Sequence, residues 1–560
     1  MTDKVYDVVV VGSGAAGGFA AKALAERGLS VLVLEAGRQL LPDEMLPKGR
    51  AIERSMSILP RIRTALTGQP LQARVAFFNE RIRHLFVNDW KHRYTTPKDR
   101  PFLWIRGRHT GGRIQTFGRV LFSWSDHYFK GASRGRGGID WPIYYSDLAP
   151  WYQKVERFLG VYGNRDDVQT APDGAMAAQT PLSAQEERFR SRVEMRWPDR
   201  HVVAWRFNPY TASPLPAALK AAMESGRVTL RANAIADYIE TDPVTGRATG
   251  LTFVDRKTRE RHRVRARAVV LGASPVESVR LLLNSRAARH PGGIGNSSGL
   301  LGRYFMDQCA SLMFGRWPET ARDGGDAVLP QHPFFGATGG VYIPRYVNTD
   351  EQPALPFKRG YSYQGSLGRH GKPDQDGFLP FAMMCFGEML PYADNRITLD
   401  PSRKDRWGIP LPHISCGVHE NERIMLERQI RDSVEMIEAS GGTADFWASP
   451  LGLGEKGGGV YPERSWPVRW FMRRMLPKSM VLGAAIHESG GARMGDDPQQ
   501  SCLNAFGQVW DAPNVVVTDA SAFPSGGTLG TTLTVMALSL RACTHLADEL
   551  LTGTIDDPKG

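Results

Sequence analysis

Apolar positions along this chain form two kinds of run. Val8 to Val11 and Ala268 to Leu271 are unbroken stretches rich in β-branched side chains, as strands covered on both faces require. Upstream of the second run, "VTLRANAIADYIETDPVTGRATGLTFVDRKTRERHRVRARAVV" is punctuated at Pro243 to Gly246 and near Lys257 to Arg259, which predicts strand, turn, strand, turn, strand. Each buried run feeds into helical spacing. The first helix is expected from Ala15 to Arg27, closed by Gly28, before a strand from Ser30 to Leu34. The second follows Gly272 and Ala273. A third, "TLTVMALSLRACTHLADEL", sets Val535, Leu538, Ala542 and Leu546 on one face, with His545 near its end as surface or core filler. In "PVRWFMRRMLPK" the residues Val468, Phe471, Met472, Met475 and Leu476 share a stripe that leaves Arg469, Arg473 and Arg474 aside. Such a basic amphipathic helix either faces a core or docks on a membrane or partner. The Gly-rich "LGLGEKGGGVYP" before it reads as a mobile loop.

Strand, loop, helix, strand is the unit on which a dinucleotide lies. "VVVVGSGAAGG" supplies GxGxxG through Gly12, Gly14 and Gly17. Gly12 allows the tight turn, Gly14 lets backbone approach a pyrophosphate, and Gly17 lets helix and strand pack closely. The helix N-terminus offers unpaired N–H groups and a positive dipole end to phosphates. Glu35, 18 residues after Gly17, can accept hydrogen bonds from a ribose diol. It favours FAD or NAD over NADP, because it repels a 2′-phosphate. The β-meander that ends in small residues favours a large flavoprotein, hence FAD.

Composition narrows the picture modestly. Of 560 residues, 42% are hydrophobic and 23% charged, ordinary for a globular chain. Five cysteines, none in a CxxC pair, argue against a disulfide framework, structural zinc or an iron–sulfur cluster. Seventy basic against 58 acidic residues give a net charge of +12. The basic residues are dispersed without a nucleic-acid motif, so no nucleic-acid partner is expected. No apolar run reaches the roughly 18 residues that span a bilayer. "MTDKVYDVVVVG" leaves no room for an export signal, which implies a cytoplasmic protein, or a periplasmic one co-exported with a partner.

The opening unit, "GRHTGGRIQTFGR", "DWPIYYSDLAPWYQKVE", "VVLGASPVES", "NSSGLLGRYFMDQ", "EMLPYADNRITLDP" and the block from His487 to Leu546 together resemble the glucose–methanol–choline (GMC) oxidoreductases. The likeness is to the bacterial branch of sugar and glycoside dehydrogenases and pyranose oxidases. The resemblance implies an α/β fold: a Rossmann-like FAD domain (1–45, 100–135, 225–310, 480–560) interleaved with a substrate domain on an antiparallel sheet with helices (136–224, 311–479). Residues 46–99 then form a helical arm, lid or contact segment, with Ile82, Leu85 and Phe86 at helical spacing, or a half-buried connector.

The resemblance also implies residue roles. Gly12, Gly14, Gly17 and Glu35 hold the ADP part of FAD; Gly111, Gly112 and Arg113 run beneath the isoalloxazine. Ala234 and Ile235 meet the adenine, and Ala273 and Glu277 lie near the cofactor. Asp519 and Ala520 contact the pyrophosphate and ribityl chain, and Thr532 and Leu533 flank the flavin pyrimidine. His487 is the catalytic base; a core histidine and a metal ligand are the alternatives, and no spaced partner set supports a metal. Ser489, Gly490, Gly491 and Ala492 are expected to let backbone pass close to the ring, and Arg493 to pin that loop. Thr116 stands where some members attach FAD covalently through a histidine, so the FAD is expected to be non-covalent. Gly530 and Thr531 stand where the family usually reads Asn-Pro, so their backbone N–H groups, the Thr531 hydroxyl or a residue from elsewhere in the chain are the candidates to substitute toward the substrate.

The expected activity is oxidation of a secondary alcohol on a sugar or glycoside, by hydride transfer to flavin N5 with His487 as base. Electrons pass to oxygen, a quinone or a redox partner protein, and a small subunit or homo-oligomer is a further expected partner. The alternatives are a non-sugar alcohol oxidoreductase, a flavin-dependent lyase or isomerase, and a flavin-binding subunit with weak activity.

Overall fold

Val5–Val11 lies between Val31–Glu35 and Arg261–Leu271, parallel to both, so its valines meet protein on every side and Val8, Val9 and Val10 have no exposure. Val31–Glu35 pairs in turn with Val228–Ala232, and Arg261–Leu271 with Ala512–Val517, again in parallel. Two further strands, Ala234–Thr241 and Ala248–Asp255, join antiparallel, and Gln508–Val509 caps the far edge, giving eight strands. The helices Ala15–Glu26, Ala217–Glu224 and Thr532–Thr552 pack together against this sheet. These coordinates are a computed structural model, which describes residues 4–46, 58–75, 78, 80–318, 329–336, 338–350, 354–369, 377–456 and 466–556.

A second sheet is antiparallel and seven-stranded. Its order is Gly452–Glu455, Thr443–Ser449, Gln308–Pro318, Phe378–Glu388, Tyr361–Leu367, Val341–Ile343, Val203–Ala204. The helix Glu420–Ala439 covers it. The architecture is α/β, a mixed sheet with five parallel strands beside an antiparallel one. The chain crosses between them at Asp307 and Gln308, and residues 483–489 return beside that crossing: Met306 and Ser489 exchange backbone hydrogen bonds of 2.8 and 2.9 Å.

Three local expectations fare differently. The Gly-rich stretch after Leu451 begins as a strand, because Gly452–Glu455 pairs with Thr443–Ser449 as a hairpin; residues 457–465 lie outside the described residues. Trp466–Ser479 is helical, but the side chains of Val468, Phe471 and Met472 lie outside the described ones, so the expected stripe is untested. Ile82, Leu85 and Phe86 are buried, as helical spacing suggested. Ile82 and Leu85 sit on a 3-10 turn and Phe86 directly follows it, in a small core of their own with Met45, Val75 and Ile105. No helix among the described residues is long and apolar enough to cross a membrane.

Candidate active site

The cleft opens where open α/β sheets bind ligands, at the carboxyl ends of the parallel strands. Val11 and Gly12, Leu34 and Glu35, and Gly272 and Ala273 line it from three strand ends. A Cβ on Gly12 would lie 2.4 Å from the Gly272 carbonyl oxygen, and Gly12 has φ 99°, so the turn admits glycine alone. Gly17 does not line the cleft. Its missing Cβ would stand 1.9 Å from the Gly12 carbonyl oxygen, which is how closely helix and turn approach.

Glu35 is buried. One carboxylate oxygen accepts from the Ser13 hydroxyl at 2.5 Å, the other from the Gly37 N–H at 2.7 Å, while burial pushes its pKa up. The same Ser13 hydroxyl accepts from the Gly111 N–H at 2.9 Å and so ties the glycine-rich turn to the Gly111–Gly112 turn. A Cβ on Gly14 would touch only the Gly111 carbonyl oxygen, at 3.4 Å, and one on Gly112 would meet nothing within 4 Å. Two stretches of bare backbone therefore border open space, the cradle that a dinucleotide with a planar ring requires, and the residues fit FAD. Asp519, held by Ser278 at 2.5 Å and Ser521 at 2.6 Å, lines the same cleft with Ala520, Ala234, Ile235 and Glu277. Thr531 and Thr532 line it too; the first-turn N–H groups of Thr532–Thr552 have no partner within the helix and present its positive end. Leu533 faces the core.

The second sheet supplies the wall opposite, with Gln364, Met384 and Phe386, and the returning segment brings His487 to it. Asp307 fixes that segment. Its carboxylate accepts the Gly483 N–H at 2.6 Å and the His487 N–H at 3.1 Å across Ile486, whose φ of 62° is rare for a β-branched residue. Burial first, and then the charge of Glu488, raise the Asp307 carboxyl to about 7 against its backbone donors. Asp307→Asn should destabilise the protein by about 1–3 kcal/mol, because an amide accepts at one oxygen only and leaves one of the two N–H groups facing a donor; thermal unfolding checks this.

The imidazole is set by Gln308. The Gln308 amide donates to the carbonyls of Gly527 (2.5 Å) and Leu529 (2.9 Å), so its oxygen must face His487, whose Nδ1 lies 2.6 Å away. Nδ1 therefore carries the proton, and Nε2 is left as an acceptor. Burial, with a smaller push from Arg113, lowers the His487 pKa to about 4. Arg113 ion-pairs with the buried Glu488. The Nε2 atom faces Gly530: a Cβ there would be 3.8 Å from it and 3.6 Å from the Val120 carbonyl. Trp124 donates to the Gly530 carbonyl at 3.3 Å. No side chain from position 530 stands beside the base.

One expectation about this segment is corrected. Ser489, Gly490, Gly491 and Ala492 do not line the cleft. A Cβ on Gly490 would lie 2.2 Å from the Tyr304 carbonyl oxygen and one on Gly491 2.9 Å from Val279, so protein packing demands the small residues. Arg493 does pin its loop, donating to the Gln500 carbonyl at 2.9 Å over the Tyr304 ring. His545 is partly exposed, stacked on Phe506 beside Glu549. Asp307, Gln308 and Glu488 had been given no role. Their signal was an Asp-Gln pair opening a strand and an acid directly after the histidine. Among the described residues, no group of three or more His, Cys, Asp or Glu is placed to hold a metal, and all five cysteines are free and buried.

A dinucleotide turn, a second sheet over the same cleft and an acceptor imidazole nitrogen in it define a flavoprotein that oxidises CH–OH groups, with FAD as its cofactor. Residues 391–539 match the family profile described as GMC oxidoreductase, and residues 10–61 a profile described as NAD(P)-binding Rossmann-like domain. Residues 391–539 thus carry the GMC oxidoreductase profile, and the chain is similar over nearly its whole length to dehydrogenases and oxidases. It is 26% identical to 2-methyl-1,2-propanediol dehydrogenase of Mycolicibacterium austroafricanum, over 97% of this chain and 95% of that one. To paromamine 6'-oxidase of Streptomyces fradiae it is 26% identical, over 98% and 92%. To the fructose dehydrogenase large subunit of Gluconobacter japonicus it is 24% identical, over 98% of each. A formate oxidase from Aspergillus oryzae shares the fold, with a TM-score of 0.65 over 99% of this chain and 100% of that one at 16% identity.

Proposed function

We propose that this protein oxidises a secondary alcohol on a sugar or glycoside to the ketone, with His487 as the base. The observation that carries the reading is the unprotonated Nε2 of His487, held by Gln308 toward a gap at Gly530. Nε2 accepts the hydroxyl proton of the substrate, and FAD, when bound, takes up the hydride from the carbinol carbon. Gly530 and Thr531 border the substrate beside the base, and Thr116, a residue without a nucleophilic nitrogen, leaves the flavin non-covalently held. The sugar assignment draws on relatives named for aminoglycoside, fructose and C-glycoside oxidation. The matches to a large subunit and to a gluconate 2-dehydrogenase flavoprotein support a partner subunit as one route for electrons, beside oxygen or a quinone.

Anaerobic mixing of the flavoprotein with a panel of glycosides should bleach the flavin, and reoxidation with oxygen or a quinone then identifies the acceptor. Product without any bleaching would replace this reading with isomerase or lyase chemistry. The pH profile is a second check. The base works as neutral imidazole, and with a pKa of about 4 it stays neutral down to that pH. The acid limb of kcat/KM should therefore fall near pH 4 and not near 6.5.

A further inference from the structure

Four arginines line the cleft: Arg106, Arg108, Arg113 and Arg119. Three have acids in reach. Arg106 lies 3.9 Å from Glu277, Arg108 acts on both Glu35 and Glu277, and Arg113 pairs with Glu488. Arg119 has no carboxylate partner among the described residues. It is 9% exposed, and the only hydrogen bond of its side chain among them runs to the Pro209 carbonyl at 3.2 Å; its Nε has none.

The surroundings do not neutralise it. The guanidinium lies 4.7 Å from the centre of the Tyr210 ring and 5.4 Å from that of Phe117. Tyr210 donates its hydroxyl to the Met45 carbonyl at 2.7 Å, and burial raises its pKa, so it remains a neutral phenol. His332, with its ring centre 4.5 Å from that of Tyr210, is held neutral by burial and by Arg119 itself. Burial lowers the arginine only to about 10, so it is cationic at neutral pH. A buried cation without a counter-ion is costly, and removing it from water is offset when a ligand supplies the anion.

Its place in the cleft says which ligand. The next residue, Val120, offers its carbonyl 3.6 Å from the Cβ position of Gly530, which is 3.8 Å from His487 Nε2. Arg119 and His487 line the same cleft, and the backbone next to Arg119 borders the gap beside the base.

We propose that Arg119 receives the carboxylate of an acidic sugar, so that the substrate is a uronic or aldonic acid or its glycoside. This rests on the reading of the site as a sugar oxidase or dehydrogenase and names the substrate class. A planar guanidinium between two rings presents paired N–H donors to a carboxylate. A single unpaired cation matches a single negative charge, where a phosphate calls for more.

The test compares methyl glucuronide, methyl glucoside and glucose 6-phosphate as reductants of the FAD-loaded enzyme. Glucuronide binding to the oxidised enzyme is followed separately, by perturbation of the flavin spectrum. The glucuronide is expected to have the highest kcat/KM. Arg119→Gln should cut its advantage over the glucoside by roughly 10²-fold, as loss of one partner of a buried charge pair does. Arg119→Lys should restore part of it. A preference for the neutral or phosphorylated sugar, or an unchanged acid-to-neutral ratio in Arg119→Gln, overturns the proposal. Should no sugar bleach the flavin, the oxidation reading fails, and Arg119-dependent binding of the glucuronide still decides this one.

Discussion

Replacing His487 with alanine is expected to slow flavin reduction by about 10²–10⁴-fold, the usual contribution of a positioned base, while FAD remains bound. The two effects should separate because the cradle that fits FAD is built from other groups. Hydrogen bonds join Ser13 to Glu35 and Gly111, and Ser278 to Asp519, without involving the imidazole. The segment that carries residue 487 is held by backbone, through Asp307 on the two N–H groups and the exchange between Met306 and Ser489. The alanine variant therefore keeps its shape and loses one function, the acceptor nitrogen. Stopped-flow reduction at neutral pH, with the flavin spectrum and unfolding temperature as controls, measures this. Turnover equal to wild type would remove His487 from the chemistry and leave the nucleotide site intact.

How far the chain announced this arrangement differs from part to part. The parallel strands were readable because a strand covered on both faces must be continuously apolar, and Val8 to Val11 admits no other placement. The glycine spacing was readable for the same kind of reason: each missing side chain answers a contact at fixed distance, two of them inside one turn. What could not be read was long-range. Gln308 stands 179 residues before His487, and its role comes from two carbonyls, Gly527 and Leu529, another 219 and 221 residues away. No local pattern encodes that meeting, which depends on where the chain passes between its two sheets. The small residues after His487 show the opposite failure. Their composition was read as room for a ring, whereas the neighbour is the Tyr304 backbone, equally intolerant of a side chain. A run of glycines reports close approach and does not name the partner.

Gly17→Ala separates folding from cofactor binding, and its expected result is near-complete loss of flavin-loaded protein. A single methyl group would sit 1.9 Å from the carbonyl oxygen of Gly12, a distance no Cβ keeps. Neither atom belongs to a flexible side chain. Gly12 cannot retreat, because its own Cα faces the Gly272 carbonyl, and the helix is pinned by its packing on Ala217–Glu224 and Thr532–Thr552. The added methyl must push helix from sheet at a buried contact, where overpacking costs about 1–3 kcal/mol and more when backbone has to move. That displacement would also pull the helix N-terminus from the cleft, where its N–H groups are placed to receive a phosphate. Gly14→Ala is the matched control. Its methyl would touch only the Gly111 oxygen, at 3.4 Å, and otherwise enters the cleft. It should leave the unfolding temperature of the apoprotein in place and weaken FAD binding by roughly tenfold, about 1.4 kcal/mol. Apoprotein thermal melts and FAD titrations distinguish the two. If Gly17→Ala took up flavin and melted like the wild type, helix and turn could not lie as close as described, and the cradle assigned to FAD would have to be redrawn.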